Sequence, residues 1–167
     1  MKGKIKIFLA GHGGLAGSAI LNELINNDYE LFYENRKNLD LEDQNKTERY
    51  LNSIKPNIVI NAAGKVGGID DNINYPAEYI YKNTIIGINL IHGAFKAGCK
   101  QFVQILSNCI YPVDAPLPLN EMDVEGGQLQ KTNKSFAQAK QCLMTMCEMY
   151  SKQYGLKYHS IIPASLY

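Results

Sequence analysis

Apolar residues along the chain follow two alternating rhythms. Short runs rich in β-branched and aromatic residues, Lys4 to Ala10, Glu30 to Glu34, Asn57 to Asn61, Gln101 to Leu106 and Tyr158 to Ile162, read as strands. Between them lie longer stretches with apolar positions at helical spacing: Ala16 to Asn27, Asp43 to Ile54, a helix beginning near Pro76 whose Ile85, Ile88, Ile91 and Phe95 share one face, and one marked by Leu143, Cys147, Tyr150 and Tyr154. Gly98 and Gly155 follow the last two as stop signals. Such strand–helix alternation predicts an α/β fold with a doubly wound parallel sheet, Rossmann-like, of about five strands.

One stretch breaks the rhythm. Tyr111 to Ser135 carries Pro112, Pro116, Pro118 and the pair Gly126-Gly127, and an irregular run above about 15 residues in a compact domain is usually functional or disordered. It is expected to act as a lid or to contact substrate. No internal repeat or low-complexity segment accompanies it.

Composition narrows the class. With 167 residues, 46% hydrophobic and 20% charged, residues 1–167 form one domain with a real core and leave no room for a second full one. The formal charge of +1 arises from 17 basic and 16 acidic side chains spread along the chain, so there is no footprint for nucleic acid or an anionic membrane. No apolar run reaches the roughly 20 residues of a membrane span. The start, Met1-Lys2-Gly3-Lys4-Ile5-Lys6, is unlike a signal peptide, and a cytoplasmic location is expected. Cys99, Cys109, Cys142 and Cys147 lack paired metal-binding spacing and read as free thiols, while His12, His92 and His159 are scattered, so no metal site is expected. The closing Pro163-Ala164-Ser165-Leu166-Tyr167 follows an apolar strand without a polar tail, which reads as a chain cut short.

The chemistry concentrates where strands end. Gly11-His12-Gly13-Gly14-Leu15-Ala16-Gly17 lies between the first strand and its helix. Missing β-carbons there let backbone approach a pyrophosphate, and the free N–H groups and dipole of the first helical turn favour its charge. Gly11, Gly13 and Ala16 fit one dinucleotide register, and Gly11, Gly14 and Gly17 a wider one. After the second strand stand Glu34 and Arg36: a carboxylate there accepts from a ribose 2'-OH and selects NAD, an arginine pairs with a 2'-phosphate and selects NADP. Ser107 follows the fourth strand, placed to hydrogen-bond a reacting carbonyl, and Lys140 comes one helical turn after Phe136, so both can face one cleft.

Gly-His-Gly-Gly-Leu-Ala-Gly-Ser-Ala-Ile at 11–20, Asn-Ala-Ala-Gly-Lys-Val-Gly-Gly-Ile at 61–69 followed by Tyr75-Pro76, Ser-Asn-Cys-Ile-Tyr-Pro at 107–112 and Phe-Ala-Gln-Ala-Lys at 136–140 together resemble the GDP-fucose synthase family of extended short-chain dehydrogenases/reductases. The resemblance spans nearly the whole chain. It favours the register Gly11, Gly14, Gly17 and implies an NAD(P)-binding domain whose separate substrate domain is missing. It further implies epimerisation of GDP-4-keto-6-deoxymannose beside its ketone, then reduction of the ketone with NADPH, NAD being the other cofactor open to it. The nucleotide-sugar substrate, of the GDP-4-keto-hexose type, is the expected partner, with a homodimer through the helices near 76–97 and 136–154. Carried over by position, Ser107 polarises the carbonyl, Lys140 binds the nicotinamide ribose, Cys109 is the epimerisation base, and Leu15, Arg36, Asp40, Leu41, Ala62, Ala63 and Pro163 join the glycines around the cofactor.

Three departures from the family stand out. Phe136 replaces the tyrosine that supplies a phenolic proton, and phenylalanine has none to give. The end at Tyr167 precedes the family's histidine acid and most of its nucleotide-sugar contacts. Gly13 stands where relatives often carry an arginine near the cofactor phosphate, leaving Arg36 as the main candidate and NADP specificity open. An alternative to an impaired enzyme is a non-catalytic NAD(P)-binding module.

Overall fold

The computed structural model describes residues 3–164 and 166. Five strands, β1 (Ile5–Ala10), β2 (Tyr29–Phe32), β3 (Ile58–Asn61), β4 (Gln101–Ile105) and β5 (Lys157–Ile161), form one sheet in the order β2-β1-β3-β4-β5, every pairing parallel. Each crossover carries a helix: α1 (Leu15–Leu24), α2 (Gln44–Ile54), α4 (Pro76–Lys96), preceded by the short α3 (Ile69–Asn74), and α5 (Lys134–Tyr154). The chain leaves β1 for β2 on one side and returns past it to β3 on the other. Right-handed crossovers in opposite directions place α1 and α2 on opposite faces, so the sheet is doubly wound and its switch point lies between β1 and β3.

Local chemistry sets the helix ends. Asp43 caps α2 by accepting from Lys46 N at 3.0 Å. Pro76 opens α4, with Glu78 in the first turn and Lys96 in the last, opposite in sign to the helix dipole at each end. Gly98 and Gly155 take φ of 78° and 64° just beyond α4 and α5, the left-handed stop for which glycine is suited. The core between the sheet and α2, α4 and α5 is built from Phe8, Leu51, Val59, Leu90, Ile91, Phe102 and Leu143, all buried. At Gly87 α4 approaches α5 so closely that an added Cβ would lie 2.8 Å from Leu143 Cγ.

Several expected boundaries shift. The strands end at Phe32, Ile105 and Ile161 instead of Glu34, Leu106 and Ile162, and α1 ends at Leu24 instead of Asn27. In Tyr111 to Ser135 the chain forms two 3-10 turns, 121–124 and 131–133, and α5 already begins at Lys134. Val113 N donates to Gln128 O at 2.9 Å, closing this stretch on itself. Gln141 Nε2 of α5 donates to Ile110 O and Val124 O, at 3.0 and 3.3 Å, and pins it to the helix. All four cysteines are free. Among the described residues no helix is long and apolar enough to cross a membrane, and no group of three metal-ligating side chains gathers.

Candidate functional site

The glycine turn leaves β1 at Ala10 and enters α1 at Leu15. Gly11 has φ of 80°, and a Cβ there would fall 2.5 Å from Ala63 N and 2.6 Å from Ala62 C. Only glycine allows the turn after β1 to lie against the backbone that follows β3. A Cβ at Gly17 would sit 2.7 Å from Gly11 C and 2.9 Å from His12 Cα, so α1 packs directly on the turn. Gly14 N donates to Gly11 O at 3.1 Å and Gly14 caps α1 with no side-chain hydrogen bond, leaving the first-turn amides of α1 uncovered by any capping group. By contrast nothing lies within 4 Å of a Cβ at Gly13. Packing therefore demands glycine at 11 and 17, the ends of the wider register.

Opposite the turn, Asn61 closes β3. Its Oδ1 accepts from Ala63 N at 3.0 Å and its Nδ2 donates to Gln104 Oε1 at 2.9 Å. Gln104 Nε2 donates to Ile105 O at 2.8 Å, and the same carbonyl accepts from Lys140 Nζ at 3.0 Å. A chain of hydrogen bonds through the buried side chains of Asn61, Gln104 and Lys140 thus links the wall beside the glycine turn to α5.

These elements enclose a cavity of about 610 Å³ at the carboxyl ends of the strands, where open α/β sheets bind ligands. Its wall includes Gly11, Gly14, Leu15, Arg36, Asp40, Leu41, Ala62, Ala63, Ser107, Phe136, Lys140 and Pro163. Two of the residues expected at the site lie off the wall. Gly17 is buried under the turn, and Cys109 packs beside Leu106, Ile110 and Val124. Glu34 is also absent from the wall and accepts from Asn38 Nδ2 at 2.9 Å. Among the described residues none of 111–135 lines this cavity, and Gln141 holds the long stretch against α5. Glu42 and Ile86 do line the cavity without belonging to any motif; only nearness in sequence to Arg36, or an apolar helical face, could have hinted at them.

Electrostatics differ between the two ends. Burial lowers the Lys140 ammonium to about 8, an effect the nearby Cys109 opposes. Burial pushes the Cys109 thiol up, while Ser107 and Lys140 pull it back toward the thiolate. Cys109 N donates to Ser107 Oγ at 3.4 Å, fixing the turn that carries both. The Phe136 ring meets Tyr79 edge-on, centroids 6.1 Å apart, and Lys140 Nζ lies 5.5 Å from the Phe136 centroid. Tyr79 is fully buried and its hydroxyl donates to Asp71 Oδ2 at 2.5 Å; burial first, and that carboxylate second, raise its pKa to about 12. At the other end Arg36 meets Glu42 at 2.5 Å and Asp40 at 3.8 Å.

The residues present fit a dinucleotide: a bare backbone turn at a helix start, an arginine and carboxylates at one end, a hydroxyl and a buried lysine at the other. Comparison with known proteins agrees. The family model described as NAD dependent epimerase/dehydratase family matches residues 7–167. The chain is 41% identical to GDP-L-fucose synthase of Sinorhizobium fredii over 97% of its length and 52% of that protein. It superposes on the structure named DdhaC with a TM-score of 0.96, at 41% identity, covering 100% of this chain and 48% of that one. It also superposes on a GDP-D-glycero-L-gluco-heptose synthase from Campylobacter jejuni, determined in the presence of NADPH, with a TM-score of 0.92 at 33% identity, covering 97% and 48%. The chain spans about half the length of the curated relatives it matches.

Proposed function

We propose, from the premise that this chain belongs to the NAD dependent epimerase/dehydratase family, that residues 1–167 are the NADP(H)- or NAD(H)-binding domain of a GDP-sugar epimerase/reductase. One observation carries the reading: the turn between β1 and α1, bare of side chains, opens onto the same cavity as Ser107 and Lys140. Relatives are named as synthases of GDP-L-fucose and of a GDP-heptose, which supports a GDP-4-keto sugar as substrate.

In this scheme Gly11, Gly14 and the first-turn amides of α1 hold the pyrophosphate, with Gly17 keeping the helix close enough. Ala62 and Ala63 would form the opposite wall, and Arg36, Asp40, Leu41 and Pro163, which line the same cavity, would hold the rest of the dinucleotide, Arg36 and Asp40 at its adenosine end. When bound, the reduced dinucleotide supplies a hydride to the ketone carbon. Ser107 Oγ donates to the ketone oxygen and steadies the charge that develops there. Lys140, held by Ile105 O, meets the ribose hydroxyls of the nicotinamide half. Cys109, off the cavity wall but beside Ser107, is carried into the scheme by the family resemblance as the base for the carbon beside the ketone, and its raised thiol must lose its proton first, helped by Ser107 and Lys140. Phe136 cannot supply the proton that the alkoxide needs, which costs about 10²- to 10⁴-fold in reduction. The second reading, a non-catalytic NAD(P)-binding module, is favoured by that residue alone. A homodimer through α4 and α5, and a cytoplasmic setting, complete the proposal.

The test has two steps. Titration of the chain with NADPH and NADH should show saturable binding below millimolar concentration; no binding of either removes both readings. Joining a relative's carboxyl-terminal half to the chain and changing Phe136→Tyr should then raise ketone reduction by about 10²-fold or more over the same fusion with Phe136, at unchanged cofactor affinity. Equal rates with either residue would refute the assigned role of position 136.

A further inference from the structure

At the adenosine end of the cavity the one arginine that lines the wall among the described residues is already held. Arg36 Nη2 donates to Glu42 Oε1 at 2.5 Å and its Nε lies 3.8 Å from Asp40 Oδ1, and all three residues line the cavity among the described residues. Glu42 is the fixed partner. Its side chain is 19% exposed against 67% for Arg36, its N–H donates to Asp40 Oδ1 at 3.1 Å, and its carbonyl accepts from Asn89 Nδ2 at 3.2 Å. Asn89 is itself buried in α4 and also donates to Leu41 O at 2.9 Å. The loop carrying both carboxylates is thus anchored from the core, while the guanidinium sits at the end of a long, solvated arm.

An arginine facing the adenosine ribose grips a 2'-phosphate through charge-assisted bonds, and a carboxylate there accepts from a 2'-OH. On this wall the two stand in contact. A 2'-phosphate must draw Arg36 away from Glu42 and then rest beside two negative charges, whereas a 2'-OH needs no such exchange. Opposition between like charges several ångströms apart at a half-exposed site weakens binding by about five- to tenfold, which offsets what one solvated arginine contributes.

We infer that Glu42, assisted by Asp40, is the specificity-determining residue of the cofactor site: by holding Arg36 it brings the affinity for the 2'-phosphorylated dinucleotide down to that of the unphosphorylated one, and the chain takes both. The inference rests on the dinucleotide reading above and adds to it the residue that sets the preference. Glu42→Gln removes the charge and keeps the loop's anchor, because Asn89 holds the main-chain carbonyl. Asp40→Asn keeps an oxygen that can accept from Glu42 N.

Nicotinamide fluorescence follows NADH and NADPH binding to the wild-type chain and to both variants. Dissociation constants within about fivefold of each other are expected for the wild type, with Glu42→Gln tightening NADPH about five- to tenfold and NADH less than about twofold. Asp40→Asn should move NADPH in the same direction by less. A wild type that prefers NADPH by more than about 20-fold overturns the inference, as does a Glu42→Gln variant that shifts both dinucleotides equally or neither. Failure of both dinucleotides to bind the wild type at millimolar concentration would instead remove the site itself, and the inference with it.

Discussion

The bare turn after β1 makes its sharpest prediction at Gly17. Alanine there puts a Cβ 2.7 Å from Gly11 C and 2.9 Å from His12 Cα, and closer still to the Gly11 carbonyl oxygen. Ordinary carbon contacts need roughly 3.5–4.0 Å, so α1 has to retreat from the turn by about an ångström. Every obstructing atom is backbone, and no side-chain rotamer can relieve it. Overpacking of this kind costs about 1–3 kcal/mol, which for a domain of this size lowers Tm by roughly 2–12 °C. The same retreat moves the first-turn amides off the phosphates, so the affinity for NADPH should fall at least about tenfold, since one charge-assisted hydrogen bond alone is worth that much. Gly13→Ala is the control. No atom lies within 4 Å of its Cβ position, so stability should hold or rise by up to about 1 kcal/mol. Thermal denaturation followed by circular dichroism, together with NADPH titration, reads both quantities. A Gly17→Ala chain with wild-type Tm and affinity, or a Gly13→Ala chain damaged as badly, would refute the close-packed turn.

Two further outcomes follow from the core. Lys140 is lowered to about 8 by burial, so below that pH the folded chain carries a desolvated ammonium, and between about 8 and the unfolded value near 10.4 the folded state sheds a proton that the unfolded state keeps. The unfolding free energy of the wild type minus that of Lys140→Met should therefore rise with pH across this window, with a limiting slope of about 1.4 kcal/mol per pH unit; a flat difference means that the amine is not buried. Gly87→Ala should lower stability by about 1–3 kcal/mol because its Cβ strikes the Leu143 side chain, and Leu143→Ala in the same chain should recover part of that loss. Strict additivity in this double-mutant cycle, measured by urea denaturation, would show that the helices do not meet there.

What could be read in the sequence was what chain neighbours decide. Strand and helix order follows from apolar periodicity, and Gly11, Gly14 and Gly17 act within a single turn, so both the five-stranded sheet and the close-packed glycine turn were visible. Side-chain pairs distant in sequence were not. Asn61 and Gln104 are 43 positions apart and read as polar interruptions of apolar strands until the β3–β4 register places them side by side. Asn89 looks like a stray polar residue on an apolar helix, yet it fixes the loop of Glu42. The helix α3 has six residues, too few for a period to declare itself. The stretch 111–135 reads as irregular from its prolines and glycines, and the contacts by which Gln141 and the buried Val124 tie it to α5 are tertiary ones that composition does not encode.

The integrity of the cradle and the supply of a proton are separable in this fold. From Ala63 N through Asn61, Gln104 and Ile105 O to Lys140, the hydrogen bonds run through the buried side chains of Asn61, Gln104 and Lys140, and none involves Phe136. Leaving any one of those polar groups unpaired costs about 1–3 kcal/mol, so the chain of bonds holds the turn wall and the lysine in one fixed relation whatever ring stands at position 136. The Phe136 ring keeps its edge-on packing with Tyr79 without needing a hydroxyl. Phe136 thus removes a proton donor while leaving intact the surfaces that would grip a dinucleotide. At position 136 a ring able to give a proton differs from the one present by a single oxygen atom, and cofactor affinity cannot register that difference, whereas the rate of ketone reduction can.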